Sequence, residues 1–323
     1  MSEASDAKHR RLQELVDDIV ARLAKETERG EVADYIPELA KVDPNRFGMA
    51  IVPVDTGRAV VAGDGDVPFS IQSISKVFSL TLALEKVGEA LWKRVNREPS
   101  GDPFNSIVQL EYEKGVPRNP FINAGAIVVA DVIMEGLSPK DATNDMLGLC
   151  RRLAHDGSVY VDRNVARSER LTGARNRALA QFMAAEGNLR GSVEDVVTTY
   201  FNHCSIAMTC RQLATAGMYL ACAGIPIGAT DASINADRAR RLMALMMTCG
   251  QYDASGEFAF RIGIPSKSGV GGGILAVMPG VASIAVWSPG LDAKGNSLLG
   301  TRALEELVRA TGWSVFGRIP DRD

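Results

Sequence analysis

The sequence predicts an α+β fold in which strands from both ends of the chain form one antiparallel sheet. Strand-like runs lie near the two termini, whereas residues 69–249 have helical patterning. Neither group of strands is large enough to form a stable layer alone, so we expect them to pair. The terminal helices then flank the sheet, and residues 69–249 form a large inserted helical lobe.

The N-terminal elements are a helix and a hairpin. Residues 9–26 carry apolar side chains three and four positions apart, which predicts an amphipathic helix. The runs FGMAIVPV (47–54) and GRAVVAGD (57–64) are rich in β-branched residues and are separated by the turn sequence DTG. This combination is typical of a β-hairpin.

The C-terminal elements are strands followed by a helix. GEFAFRIGI (256–264), GGGILAVMPG (271–280) and VASIAVWSPG (281–290) predict a meander with turns at Gly and Pro. Residues 298–312 have the spacing of a second amphipathic helix.

These elements predict a single domain. Residues 1–323 form it, with a sheet-containing part at 1–68 and 250–323 around the lobe at 69–249. A cleft is expected where the lobe meets the sheet, because such junctions favour ligand sites.

Composition excludes several classes of function. The net charge is −3 and the two signs are interspersed, so we expect no binding to nucleic acid or to a membrane surface. The longest apolar stretch, residues 122–134, is too short to span a bilayer. Five cysteines without a CxxC pair, and a polar N-terminus, predict buried thiols in the cytoplasm. Three scattered histidines and no HExxH predict no metal, and we expect no other cofactor.

The stretch FSIQSISKVFSL (69–80) places Lys76 inside an apolar helical pattern, one turn after Ser73. A serine hydroxyl becomes a nucleophile when a base removes its proton. A lysine with its usual pKa of about 10.4 is charged at neutral pH, but burial lowers this pKa, so that the neutral amine can act as the base. The N–H groups of the first helical turn can hold an oxyanion. The alternative is that Lys76 extends its ammonium group to water.

A second signal lies at the start of a late strand. Lys267, Ser268 and Gly269 supply a cation, a hydroxyl and a glycine that can line the cleft. The alternative is a glycine-rich turn. The stretch is not a P-loop, because GxxxxGK[ST] is absent from the sequence.

SxxK early and KSG late resemble the pattern of the serine β-lactamase and penicillin-binding superfamily. The surrounding sequence is more similar to the serine-dependent glutaminases. The resemblance runs in one order from about residue 8 to 312 and rests on six stretches: VADYIPELA (32–40), FSIQSISKVF (69–78), RNPFINAGAI (118–127), ARSERLTGARNRALA (166–180), YFNHCS (200–205) and QYDASGEFAFRIGIPSKSGVGGGI (251–274).

The resemblance implies a serine β-lactamase-like fold that hydrolyses L-glutamine to L-glutamate and ammonia through a glutamyl-serine ester. It implies Ser73 as the nucleophile, Lys76 as its activating partner and Tyr252 as a proton shuttle, with the general base open between Lys76 and Tyr252. The implied substrate-binding residues are Tyr35, Gln72, Ser73, Asn123, Glu169, Asn176, Tyr200, Tyr252 and the backbone of Val270. Relatives form dimers or tetramers, so a homodimer or homotetramer is expected.

The residue types fit a free amino acid. Glu169 suits an α-ammonium group, whereas Asn123, Asn176 and tyrosine hydroxyls can donate to a carboxylate. Each also has a structural interpretation: Asn123 as a helix cap, Glu169 as a surface charge and the tyrosines as half-buried aromatics.

One departure from the resemblance and two alternative functions stay open. Asn202 and His203 stand where many glutaminases carry a Gln-containing form, which touches the surroundings of Tyr200. A β-lactamase or peptidase shares SxxK and KSG. A non-catalytic amino-acid sensor could use the same scaffold, although intact Ser73, Lys76 and Tyr252 disfavour it.

Overall fold

A five-stranded antiparallel sheet joins the two ends of the chain, as predicted. The computed structural model describes residues 3–100, 107–222 and 235–317. The sheet has the order β3-β2-β9-β8-β7, and the N-terminal strand β2 pairs with the C-terminal strand β9. The strands are β1 (Glu31–Val32), β2 (Gly48–Pro53), β3 (Val60–Gly63), β4 (Phe69–Ser70), β5 (Tyr160–Val161), β6 (Ile206–Met208), β7 (Ser266–Gly269), β8 (Gly273–Met278), β9 (Ala282–Trp287) and β10 (Gly290–Leu291).

Helices flank the sheet and fill the segment between its N- and C-terminal strands. They are α1 (Glu3–Leu23), α2 (Ser75–Val87), α3 (Ile107–Tyr112), α4 (Asn123–Met134), α5 (Pro139–Ala154), α6 (Arg163–Thr172), α7 (Ala174–Ala185), α8 (Val193–Cys204), α9 (Cys210–Ala221), α10 (Ala236–Cys249), α11 (Ser255–Arg261) and α12 (Leu298–Thr311). In the described residues none of them is long and apolar enough to cross a membrane.

The two faces of the sheet pack against different helices. Met49 and Ile51 of β2 belong to a core cluster with residues of α1 and α12. Ala50 and Val52, which point to the opposite face, belong to a larger cluster with the helices of the lobe. The central strands are therefore buried on both faces, and the lobe shares its core with the sheet.

One predicted strand is wrong. The sequence pattern predicts a strand over residues 256–264, but Ser255–Arg261 is the helix α11. Phe258 and Ile262, four residues apart, are buried together, whereas Phe260 is exposed. The third C-terminal strand is instead β7, which contains the KSG sequence.

A small sheet within the lobe has no counterpart in the sequence prediction. β4, β6 and β5 pair antiparallel in that order. Each has only two or three residues, too few to show a period of two. This sheet fixes the chain just before Ser73. The five cysteines are buried and unpaired, as predicted.

Candidate active site

Ser73 lies in a tight turn, not within one continuous helix over residues 69–80. The chain leaves β4 at Ser70, passes through a 3-10 turn at Gln72–Ile74 and enters α2 at Ser75. Gln72 has a φ of +49°. A non-glycine residue in this left-handed region is held there by its surroundings and is frequent at functional sites.

Lys76 is buried rather than extended to water. Its side chain is 1% exposed, and Nζ donates to Asn123 Oδ1 at 2.8 Å and to the Phe121 backbone oxygen at 3.2 Å. Burial lowers the pKa of Lys76 to about 8, and the nearby Cys204 and Glu169 side chains oppose this shift. A substantial fraction of Lys76 is therefore neutral just above neutral pH.

A cavity of about 330 Å³ opens beside Ser73. It is bounded by the Ser73 turn, the starts of α4 and α7, the helices α6 and α8, and the loops after β1 and β7. Eight predicted substrate-binding residues line it: Tyr35, Gln72, Ser73, Asn123, Glu169, Asn176, Tyr200 and Val270. These residues come from seven places in the chain, and the fold brings them together.

Tyr252 reaches the same serine from outside this lining. Ser73 shares a side-chain hydrogen bond with Tyr252 that lowers the tyrosine pKa, although burial outweighs it and raises that pKa well above its usual value. The Lys267 Nζ atom lies 4.5 Å from the centre of the Tyr252 ring. Tyr252 also has a φ of +52°, a second left-handed non-glycine residue at the site.

The KSG residues support the site rather than line its cleft, which corrects the sequence prediction. Lys267 and Ser268 have no exposed surface. Lys267 Nζ donates to the backbone oxygens of Gly250 and Ser268, at 3.1 and 2.7 Å. Burial, with Lys76 adding to it, holds the pKa of Lys267 well below its usual value. The lining is reached only by the next residue, Val270.

Gly269 allows β7 to lie directly against the Ser73 turn. A Cβ atom at this position would lie 2.5 Å from the Ile71 backbone oxygen and 3.3 Å from the Ser73 nitrogen. The glycine therefore lets β7 lie against the chain's own backbone at Ile71 and Ser73.

A chain of amides fixes the polarity of one side of the cavity. Asn123 Oδ1, an amide oxygen that can only accept, takes the hydrogen bond from Lys76, and Asn123 Nδ2 donates to Asn176 Oδ1 at 2.9 Å. The Nδ2 group of Asn176 is then the part of this amide that is left to donate into the cavity. Asn123 is the first residue of α4 and Ile122 is its N-cap, so Asn123 is not the helix cap.

Glu169 gives the cavity its acceptor side. It is 7% exposed, so it is not a surface charge. Burial raises the pKa of Glu169 to about 7, while a hydrogen bond from Gln72 and the charge of Lys76 oppose the shift. A positively charged ligand group bound beside Glu169 would stabilise the ionised carboxylate, so this side of the cavity suits a cation.

Five lining residues were missed by the sequence prediction: Ile36, Thr172, Gly173, Arg175 and Cys204. All five lie inside stretches that carried the resemblance, so membership of those stretches was the available signal. Cys204 also shares a side-chain hydrogen bond with Tyr200, one helical turn before it.

The fold and the site together define the class of protein to which the chain belongs. An antiparallel sheet with flanking terminal helices, a helical lobe, and a serine one turn before a buried lysine are features of serine β-lactamase-like hydrolases. The predicted α+β fold class is confirmed by this architecture and by the structural neighbours that follow.

Comparison with known proteins shows to which family within this class the chain belongs. The glutaminase family model matches residues 30–316. The glutaminase of Mesorhizobium japonicum is 58% identical over 306 residues, covering 95% of this chain and 97% of its own. The structure of Mglu in its glutamate form has 35% identity and a TM-score of 0.89, over 95% of this chain and 70% of that chain. A probable glutaminase from Bacillus subtilis, complexed with 6-diazo-5-oxo-L-norleucine, has 32% identity and a TM-score of 0.84, over 94% and 96%. The chain belongs to the glutaminase family.

Proposed function

We propose that the protein hydrolyses L-glutamine to L-glutamate and ammonia, with a glutamyl ester on Ser73 as the intermediate. The observation that carries this proposal is a single cavity that offers Ser73 together with a buried carboxylate and an oriented amide donor. These are the partners that a free amino acid with a γ-amide needs. A glutamate form of Mglu gives further support.

The two sides of the cavity orient the substrate. Glu169 takes the α-ammonium group, and Asn176 and Tyr35 take the α-carboxylate. Asn123 acts mainly through Asn176 and Lys76, because both ends of its amide are engaged. The γ-amide carbon then lies toward Ser73. Tyr200 and Val270 complete the lining around it.

The reaction proceeds in two steps. Ser73 Oγ attacks the γ-amide carbon while Lys76, neutral in part because of its lowered pKa, accepts the serine proton. The backbone N–H groups of Ser73 and Val270 hold the oxyanion. Tyr252, kept protonated by the burial that raises its pKa, gives its proton to the amide nitrogen as the C–N bond breaks, and it takes back the serine proton from Lys76 as ammonia leaves. In the second step water attacks the ester carbon and gives one proton to Lys76, and that proton returns to Ser73 Oγ as the ester C–O bond breaks and L-glutamate leaves.

Ser73→Ala tests this function. We expect ammonia release from glutamine to fall on the order of 1,000-fold or more, because the bond-forming atom is removed. Binding of L-glutamate, measured by calorimetry, should persist. Ser79→Ala, a buried serine further along α2, is the matched control. Activity near wild type in Ser73→Ala places the nucleophile elsewhere. A wild type that binds glutamine without releasing ammonia is a sensor, and one that instead hydrolyses a chromogenic cephalosporin is a β-lactamase.

We also propose a cytoplasmic homodimer or homotetramer. Five buried, unpaired cysteines in the described residues suit a reducing compartment. The assembly follows from the family resemblance alone, and light scattering of the purified protein tests it.

A further inference from the structure

The amide of Gln72 belongs to a short hydrogen-bond chain beside the cavity. Ser70 Oγ donates to the Cys204 backbone oxygen at 3.0 Å. A serine hydroxyl has one proton, so this bond leaves Ser70 Oγ as an acceptor toward Gln72 Nε2, which lies 3.0 Å away. Ser70 is 9% exposed and Gln72 is 3% exposed. Ser70 does not belong to the described lining of the cavity.

Glu169 imposes the same orientation on this amide. An ionised carboxylate only accepts, and Gln72 shares a side-chain hydrogen bond with Glu169. The two protons of Gln72 Nε2 are thus divided between Ser70 and Glu169. Gln72 Oε1 is left as an acceptor for the cavity that Gln72 and Glu169 both line.

Backbone packing holds the rest of Gln72 in place. Its φ of +49° belongs to a turn against which the β7–β8 segment packs closely. A Cβ atom at Gly271 would lie 2.4 Å from the Ser70 backbone oxygen and 3.4 Å from Gln72 Cγ. Because the stem has little room to move, the hydrogen bonds decide which end of the amide faces the cavity.

We propose that Ser70 is a positioning residue for recognition of the substrate's amino group. By accepting from Gln72 it keeps the amide oxygen available, so an α-ammonium group meets a carboxylate and a carbonyl oxygen together. A reversed amide presents N–H groups to the ammonium and repels it. This inference rests on the proposed function and adds a determinant of specificity: selection for ligands with a free α-amino group.

The test compares two ligands that differ in this group. L-glutamate and glutarate share a carbon chain, but glutarate lacks the amine. In Ser70→Ala we expect the affinity for L-glutamate to fall about tenfold and that for glutarate to change by less than about twofold, both measured by calorimetry. KM for glutamine should rise by a similar factor while kcat stays within about threefold. Ser70→Thr, which keeps the hydroxyl, should restore the preference for L-glutamate.

Ser79→Ala is the matched control. Ser79 is also buried and donates to the backbone oxygen of Lys76 at 3.3 Å, so its loss removes one buried serine hydroxyl without touching Gln72. If Ser70→Ala does not fold, Ser70→Cys provides a weaker acceptor, and its affinity for L-glutamate should fall selectively by a smaller factor.

Two results overturn the proposal: unchanged L-glutamate affinity in a folded Ser70 variant, or equal losses for L-glutamate and glutarate. The calorimetric comparison needs no turnover. Failure of the wild type to release ammonia therefore counts against the proposed function and not against the role of Ser70.

Discussion

Glu169 couples amino-acid binding to pH at the scale of a single residue. With a pKa raised to about 7 by burial, it is mostly protonated below that pH and mostly ionised above it. An α-ammonium ligand prefers the ionised form. We expect L-glutamate affinity to fall about tenfold from pH 8 to pH 6, because the ionised fraction falls by that factor. Calorimetry on Ser73→Ala measures this without turnover.

Glutarate and Glu169→Gln are the controls for that prediction. Glutarate carries no ammonium group, so its affinity should not fall over the same range. Glu169→Gln should bind L-glutamate weakly and without this pH dependence, while keeping its affinity for glutarate. Parallel losses for both ligands in the wild type would remove Glu169 from amino-group recognition.

Local patterns predicted some residues of the site better than others. The apolar run around Lys76 left two alternatives, burial of the side chain or extension of its ammonium group to water, and the structure shows burial. No local pattern predicted the left-handed backbone of Gln72 and Tyr252, because both positions hold residue types that rarely adopt it. Their conformations are imposed by neighbours distant in sequence, such as Gly269 and Gly271 beside Gln72.

At the scale of elements, β7 and the Ser73 turn act as one unit. Gly269→Ala introduces a Cβ atom 2.5 Å from the Ile71 backbone oxygen, so either the strand or the turn must shift. A shift near 1 Å at the nucleophile is expected to lower kcat on the order of 100-fold. Steady-state ammonia release measures this effect.

Gly157→Ala is the control for that substitution. An added Cβ atom meets nothing within 4 Å at Gly157, which is exposed. Its kcat and thermal midpoint should match those of the wild type. If Gly269→Ala has wild-type kcat, close contact between β7 and the turn is not needed for catalysis.

The helix α11 forms where the sequence pattern predicts a strand, and the reason lies in the spacing of its apolar residues. GEFAFRI places the large apolar residues Phe258, Phe260 and Ile262 at every second position, as a half-buried strand does, but it also places Phe258 and Ile262 four apart. The structure uses the second spacing, because α11 follows directly from the 3-10 turn Tyr252–Ala254. Two periods fit seven residues equally well, and only the neighbouring turn decides between them.

At the scale of the whole molecule, the shared core explains why the architecture was predictable. The terminal strands need each other to complete a sheet, and the lobe needs the second face of that sheet to bury its helices. From this shared core we infer that the chain unfolds as one cooperative domain. The positions that line the cavity could not be derived in this way, because they come from loops and helix ends whose arrangement depends on the entire fold.

His203 makes the stability of the whole molecule depend on pH. It is 2% exposed, and its Nε2 atom has no hydrogen-bond partner in the described structure. Burial lowers its pKa from 6.5 to about 4, opposed by a hydrogen bond to the backbone of Ala142. The unfolded chain therefore takes up this proton below pH 6.5, whereas the folded protein takes it up only near pH 4. The stability linked to His203 is intact above pH 6.5 and is lost as the pH falls to 4, by about 3 kcal/mol.

His203→Gln removes this titration and tests the prediction. Urea unfolding at pH 4.5 and pH 7 should show a smaller loss of unfolding free energy in His203→Gln than in the wild type. Glu169 contributes with the opposite sign, since its raised pKa favours the folded state as the pH falls, so the difference between the two proteins isolates His203.

The exposed His155, which ends α5 in a left-handed conformation, supplies the control His155→Asn, which should lose stability as the wild type does. Equal acid sensitivity in wild type and His203→Gln would show that the buried imidazole is not what limits stability at low pH.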